Sequence, residues 1–389
     1  MNKTYIKTAL LLFIDLLFSM FLIDNVKQVY YLDLKVSIAN TGLLITAYTV
    51  SKFLFEIPTG FVSDKYGRKI SVIIGILIIE GSLLFLLINN FVFLFISSVL
   101  LGLGRTFISG SFDSMIYEKI SSFDDKKIKI VQNIKRFLWY GGYGVGILFS
   151  GIIYDKYHGR IVIILTILIQ FLALIVLFIV KNEDYIADEK ITFLNNVRKT
   201  FKNKYLIGVI LSFIFFTVID IPFDFYVIVF LNRNGMSVTT ASLIVGLSVF
   251  VSPLTGLLSI KFNKRVDVFN VRFGSIAPTF CLLLIGLTQN LYLIVVLLFL
   301  KAFLFSMISP SRYLIANKMI DNSYRATAHS IKAFLMALFS SISVSVFAFL
   351  SDIFNMEKAI VILASISILL LLINGFIILK GISRKISIA

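Results

Sequence analysis

Cysteine, histidine, proline and charge are all scarce in this chain. Cys281 is the one cysteine and lies in an apolar run, so no intrachain disulfide forms. His158 and His329 are the two histidines and stand far apart, which argues against a zinc cage. Without clustered histidine, cysteine and carboxylate, the usual catalytic sets are missing. No G-x-x-x-x-G-K-[ST] phosphate loop occurs, so direct drive by ATP is not expected. Five prolines in 389 residues leave long helices uninterrupted. Charged residues make up 15%, against about 25% in an average soluble domain. That is too little polar material to cover a soluble surface of this size.

Apolar residues fill the gap: 58% of the chain is hydrophobic, 39 residues are phenylalanine, and mean hydropathy is +0.96. A helix of about 20 mostly apolar residues crosses roughly 30 Å of hydrocarbon. Twelve such spans are expected near 8–31, 39–62, 70–88, 91–115, 133–154, 161–180, 205–230, 237–260, 269–288, 291–314, 326–349 and 358–380. They are numbered 1 to 12 in that order. The runs lack the ten-residue alternation of a membrane barrel, so the expected class is an all-α membrane protein. Residues 1–32 do not resemble a cleavable signal sequence, because the apolar run is too long and no small-residue cleavage site follows it.

The net charge of +16 is distributed by topology and does not point to nucleic acid. Nineteen basic residues, from Lys3 and Lys7 through Lys126, Arg198 and Lys261 to Arg384 and Lys385, fall on one side of this twelve-span arrangement. The other side carries roughly six, including Lys27, Lys35, Lys156, Arg160, Arg233 and Lys358. By the positive-inside rule both termini are cytoplasmic, in a multi-pass protein of the cell membrane. Anionic lipid headgroups are expected partners of the basic face.

The chain also looks duplicated. Asn89-Asn90 makes a tight turn between spans 3 and 4, and Gln289-Asn290 makes the same turn between spans 9 and 10, 200 residues later. The loop Gly60-Phe-Val-Ser-Asp-Lys-Tyr-Gly-Arg-Lys69 has a degraded counterpart at 256–265, where Ile260 replaces the acid and Asn263 the second glycine. The expected organisation is an N-terminal six-helix bundle over 1–180, a charged cytoplasmic linker over 181–204, and a C-terminal six-helix bundle over 205–389. Locally, Gly60 is expected to let span 2 pack closely on a neighbour. Gly67 is expected to permit the sharp turn into span 3. Asp64 is an acid at a helix junction, suited to an adjacent helix N-terminus.

That decapeptide fills every fixed position of G-x-x-x-D-[R/K]-x-G-R-[R/K], and the chain thereby resembles the major facilitator superfamily of transporters along its whole length. The resemblance implies two pseudo-symmetric six-helix bundles, a substrate site near the midplane, and alternating access. It also implies a gate in which Asp64 faces the start of span 11 near Arg325, and Arg68, followed by Lys69, pairs with Glu118. Span 4 carries Gly102-Leu-Gly-Arg-Thr-Phe-Ile-Ser-Gly-Ser111, then Asp113 and Glu118. Arg105 near its middle costs at least about 2.5–3.5 kcal/mol on insertion scales, so it needs an acid or water. Many members place an arginine there, which implies either help in proton transfer or a structural ion pair. Exporters of the family carry G-x-x-x-G-P-x-x-G-G in span 5. Here Gly142, Gly146 and Gly151 fit, Ile147 replaces the proline and Ser150 a glycine, so export and plain helix packing both stay open.

Further charges lie inside the spans. Lys52 and Glu56 share a face of span 2, four residues apart, as a neutralised pair would. Asp15 in span 1 and Glu80 in span 3 have no local cation, and Asp24 is expected to be a solvated acid at the outer end. Asp220 and Asp224 share a face of span 7 across Pro222, which is expected to kink it. Two carboxylates one turn apart in a low dielectric do not both ionise easily, which suits a proton carrier. Lys301 in span 10 is placed to neutralise one of them. The candidate proton or substrate path is therefore Asp15, Glu56, Arg105, Asp113, Asp220, Asp224 and Lys301. Trp139 is expected to be an interfacial anchor.

The expected function is proton-coupled export of an amphipathic or hydrophobic small molecule by a monomer, with the proton gradient as energy source and no cofactor. Proton-coupled uptake of a nutrient or short peptide, and lipid flipping, use the same features.

Overall fold

A computed structural model of the chain describes residues 3–120, 125–180, 204–256, 264–318 and 325–378. Those residues are helical throughout apart from short turns, and no strand occurs among them. Ten helical stretches are long and apolar enough to cross a membrane. One of the ten, Phe137–Ile179, holds both span 5 and span 6, and Val238–Val251 is a shorter apolar helix in the place of span 8. The expected twelve rods are thus all present among the described residues.

Several boundaries differ from expectation. Span 2 runs Ile38–Tyr66 and span 4 runs Phe91–Ile120, each several residues past its apolar core. Span 5 opens at Asp125 within a continuous helix to Ile179, broken at His158 (φ 61°, ψ 175°). Span 11 runs Arg325–Ile353. The cause is the same each time. Apolarity marks the hydrocarbon, whereas the backbone hydrogen-bond ladder continues into the headgroup layer, where polar side chains are tolerated. Span 7 keeps one helix, Lys204–Arg233, through Pro222. Span 1 is two helices, Lys3–Ser19 and Leu22–Asp33, interrupted at Met20 and Phe21. Span 9 contains a π-helical turn, Asn270–Gly274, and Asn374–Ile378 ends span 12 in another.

The turns repeat through the chain. Asn90 Oδ1 accepts from the Val92 N–H at 2.9 Å, and Asn290 Oδ1 accepts from the Leu293 N–H at 3.2 Å, so each caps the helix that follows. Lys35 (φ 63°) ends span 1 and Gly235 (φ 94°) ends span 7, both left-handed. His158 and Asn355 (φ 113°) turn the chain into spans 6 and 12. Gly67 takes φ 97°, and its sharp turn before Arg68 is the one expected of it. Gly60 behaves otherwise: a Cβ there would meet nothing within 4 Å, so it makes no close helix contact among the described residues.

The helices gather into two compact units. The first takes the described residues within 1–37, 43–188 and 231–246; the second takes those within 38–42, 189–230 and 247–389. In the first, spans 3 and 4 meet closely, with Gly104 so near span 3 that an added Cβ would lie 2.9 Å from the Gly75 carbonyl. Small residues permit that approach where lipid gives no hydrophobic push. The first turn of span 8 belongs to this unit, and there the Thr239 N–H donates to Asp155 at 2.7 Å. The first turn of span 2 belongs to the second unit, and there the Ala39 N–H donates to Asp352 at 2.8 Å. Each acid lies three residues before its left-handed turn, His158 or Asn355, so the two contacts are copies of one another. A carboxylate at a helix start satisfies an orphan N–H and the positive end of the dipole. Asp155→Ala and Asp352→Ala should each cost roughly 1 kcal/mol and lower the unfolding temperature in detergent, with Asp→Asn costing less because an acceptor oxygen remains; thermal unfolding of the purified variants checks this.

Candidate functional site

The first unit holds a half-open cavity of about 600 Å³ between spans 1, 2, 4 and 5. Asp15 and Asp24 both line it. Nine residues apart on one straight helix, they would face about 180° from each other. The interruption at Met20 and Phe21 resets the helix, and so brings both acids to the same space. Asp24 is consequently no isolated outer-end acid. Its Oδ1 takes Lys27 Nζ at 2.8 Å and its Oδ2 takes Arg105 Nη2 at 3.2 Å. Arg105 thus has the acid its depth requires, and its guanidinium also lies 4.3 Å from the Phe21 ring centre. The pair is compatible with both readings open to Arg105, a structural ion pair and help in proton transfer.

Asp15 is buried, 2% exposed, and its Oδ2 has no hydrogen-bond partner among the described residues. Asp113 pairs with Lys135 between spans 4 and 5. Lys52 also reaches the cavity, whereas Glu56 does not line it. The walls are aromatic: Phe18 and Phe112 meet edge to face at 5.1 Å, and Tyr48, Trp139, Tyr140 and Tyr143 contribute. Trp139 faces the cavity and lies near the start of the apolar stretch Phe137–Ile179, a place that also suits the expected interfacial anchor. Lys135 was not distinguishable by motif, and its only sequence signal is a cation near the start of an apolar span.

The second unit holds the other charged cluster. Lys301 Nζ lies 2.7 Å from Asp220 Oδ1 and 2.7 Å from Asp224 Oδ1, so it neutralises across both acids rather than one. Asp220 is 9% exposed, while the Asp224 side chain is 61% exposed. Arg312 and Lys332 lie nearby against Phe213. They sit in no motif, and only their charge within spans 10 and 11 sets them apart. Glu80 Oε1, in span 3, is buried without a hydrogen-bond partner among the described residues.

The gate residues are placed in part. Lys69 Nζ donates to the carbonyls of Phe178, at 3.3 Å, and Val180, and so caps the end of span 6. The side chains of Asp64, of Glu118 and of the first turn of span 11, with the linker 181–203 and the second loop at 257–263, lie outside the described residues. The span 5 glycines are close-contact positions. A Cβ on Gly142 would fall 2.0 Å from Ser19 Oγ, one on Gly146 3.4 Å from Met20 Cα, and one on Gly151 2.5 Å from Ser242.

These features can be set beside known proteins. The profile of the Major Facilitator Superfamily matches residues 8–344. An uncharacterized MFS-type transporter of Bacillus subtilis (strain 168), YxaM, is 26% identical over 241 residues, 58% of either chain. An uncharacterized transporter of Buchnera aphidicola subsp. Baizongia pistaciae (strain Bp) is 39% identical over 77 residues, 20% of either chain. The alignments thus span less than two thirds of either relative. Among solved structures, the nucleoside transporter NupG superposes with TM-score 0.79 at 16% identity, covering 97% of this chain and 100% of that one. A bacterial homolog of the human lysosomal transporter Spinster gives 0.79 at 16% identity, covering 98% of each. A bacterial homologue of the iron transporter ferroportin gives 0.76 at 14%, covering 98% of this chain and 99% of that one. At these identities the superpositions speak for the fold, and the profile match over most of the length settles kinship: this multi-pass helical membrane protein belongs to the major facilitator superfamily of transporters.

Proposed function

We propose that the protein is a secondary active transporter that exports an amphipathic small molecule by alternating access, coupled to protons. The observation that carries the substrate class is the cavity of the first unit, where two ion pairs, a buried acid with an unpartnered oxygen and an aromatic wall share one space. A purely hydrophobic substrate gains nothing from those charges, since a pocket built to hydrogen-bond penalises a ligand that leaves its polar groups unpaired. The hydrophobic half of the expected substrate range is therefore dropped. Asp15 and the Asp220–Lys301–Asp224 cluster are the proposed proton and substrate carriers, and Asp64 with Arg68 the proposed cytoplasmic gate. The reading includes both termini in the cytoplasm, no cofactor, and a monomer as the working form.

Uptake of a polar aromatic solute is the second reading. The tyrosine-rich, hydrogen-bonding cavity wall suits it, and a nucleoside transporter is among the structural neighbours.

Everted vesicles with an acidic lumen separate the two. Proton-driven accumulation of aromatic amphiphiles is expected in the parent and at least about tenfold less in Asp15→Asn; entry only into right-side-out vesicles overturns export in favour of uptake. A second expectation concerns the gate: Asp64→Asn should cut flux to a small fraction of the parent's while membrane insertion, measured by surface labelling, stays normal. Unchanged flux in that variant would remove Asp64 from the gate.

A further inference from the structure

Arg312 lies in span 10 and is 1% exposed. Its guanidinium carbon stands 3.8 Å from the centre of the Phe213 ring and 5.6 Å from that of Phe216. Lys332 of span 11 brings its Nζ to 3.7 Å from the same Phe213 ring. Two cations therefore share one aromatic side chain, within one unit. Aromatic faces offset part of the cost of burying a cation, but they do not satisfy its N–H groups. The acid whose charge reaches Arg312 is Asp220, and Lys301 holds that carboxylate at 2.7 Å.

The unsatisfied atoms are specific. Arg312 Nε and Nη2 are both buried and without a hydrogen-bond partner among the described residues. These two nitrogens form one edge of the guanidinium. That edge is the fork which grips a carboxylate or phosphate by two parallel hydrogen bonds. Buried side-chain donors are nearly always bonded, so an entire empty fork calls for an explanation. With Asp220, Asp224, Lys301, Arg312 and Lys332 taken together, three cations face two acids. One more negative charge would balance the cluster.

We propose that Arg312, with Lys332 beside it, forms an anion-recognition subsite that takes the carboxylate or phosphate of a small organic anion, whose apolar body lies against Phe213 and Phe216. The fork is shut off from solvent in this structure, and helix motion opens it for loading. The proposal rests on the transporter reading only in taking the anion to be a transported solute, and its test is a binding measurement that needs no flux. A loss of flux with anion binding intact would count against that reading alone.

The full chain, purified in a neutral maltoside detergent, is titrated with benzoate, inorganic phosphate, phosphatidylglycerol and, as cationic control, benzylamine, with thermal unfolding as readout. Benzoate should raise the unfolding midpoint and benzylamine should not. Arg312→Gln should weaken benzoate binding about tenfold or more, the scale of a lost charged hydrogen bond. Arg312→Lys keeps the charge and is the variant to rely on if Arg312→Gln fails to fold. It should also bind weakly, because an ammonium cannot reproduce the fork. Lys332→Gln should give a smaller loss. Benzoate affinity unchanged in Arg312→Lys, or no response to benzoate and phosphate in the parent, overturns the subsite. A response to phosphatidylglycerol alone, or to phosphate without benzoate, overturns the solute assignment in favour of a lipid headgroup or a free anion.

Discussion

A charge inside the hydrocarbon layer has no water to fall back on, so its partner must come from another helix. That constraint organises the interior of this protein. Arg105 of span 4 is held by Asp24 of span 1, which Lys27 also reaches. Lys135 of span 5 is held by Asp113 of span 4, and Lys301 of span 10 by two acids of span 7. Each pair fixes the rotation of two helices about their axes, a task apolar side chains perform poorly when lipid is as oily as the helix face. Removing the acids would leave Arg105 or Lys301, both largely buried, without a carboxylate, which costs more than the pair contributes. The ion pairs thus specify which helix faces meet, and the cavity between spans 1, 2, 4 and 5 is the space they frame.

The duplication follows a different logic. Backbone devices are copied: the capping asparagines Asn90 and Asn290, the left-handed turns at Lys35 and Gly235 and at His158 and Asn355, and the carboxylates Asp155 and Asp352 over helix starts. Side-chain charge recurs on the equivalent spans, but with different residues and different pairings. The first unit has its cluster on spans 1, 4 and 5, the second on spans 7, 10 and 11.

Much of this was legible in the residues, and the exceptions have physical causes. Apolar length and the Asn-Asn and Gln-Asn turns locate all twelve spans, helical phase joins Asp220 to Asp224, and charge alone points to Lys301, which reaches both acids rather than the one expected. Asp24 was read as an outer-end acid from its place late in span 1, and neither glycine nor proline marks the interruption at Met20 and Phe21 that brings it to the cavity. Gly60 was assigned a packing role that its open surroundings do not support. The helix ends drifted because hydropathy reports the solvent while the hydrogen-bond ladder reports the backbone. The cavity aromatics escaped altogether: 39 phenylalanines and 16 tyrosines look alike until three-dimensional proximity selects among them.

The pattern of satisfaction separates scaffold from function more sharply than the motifs do. Lys27, Arg105 and Lys135 each reach a carboxylate within the described residues, although Arg105 Nε keeps no hydrogen-bond partner there. Glu80 Oε1 departs from that pattern, and so do two further groups. Asp15 is buried beside the cavity with one oxygen unpartnered, and Arg312 is buried with a whole donor edge empty. A fold that has solved the pairing problem elsewhere has no structural reason to leave it unsolved there. A buried acid oxygen and a buried guanidinium edge without partners are the groups on which the proposed proton and solute roles rest.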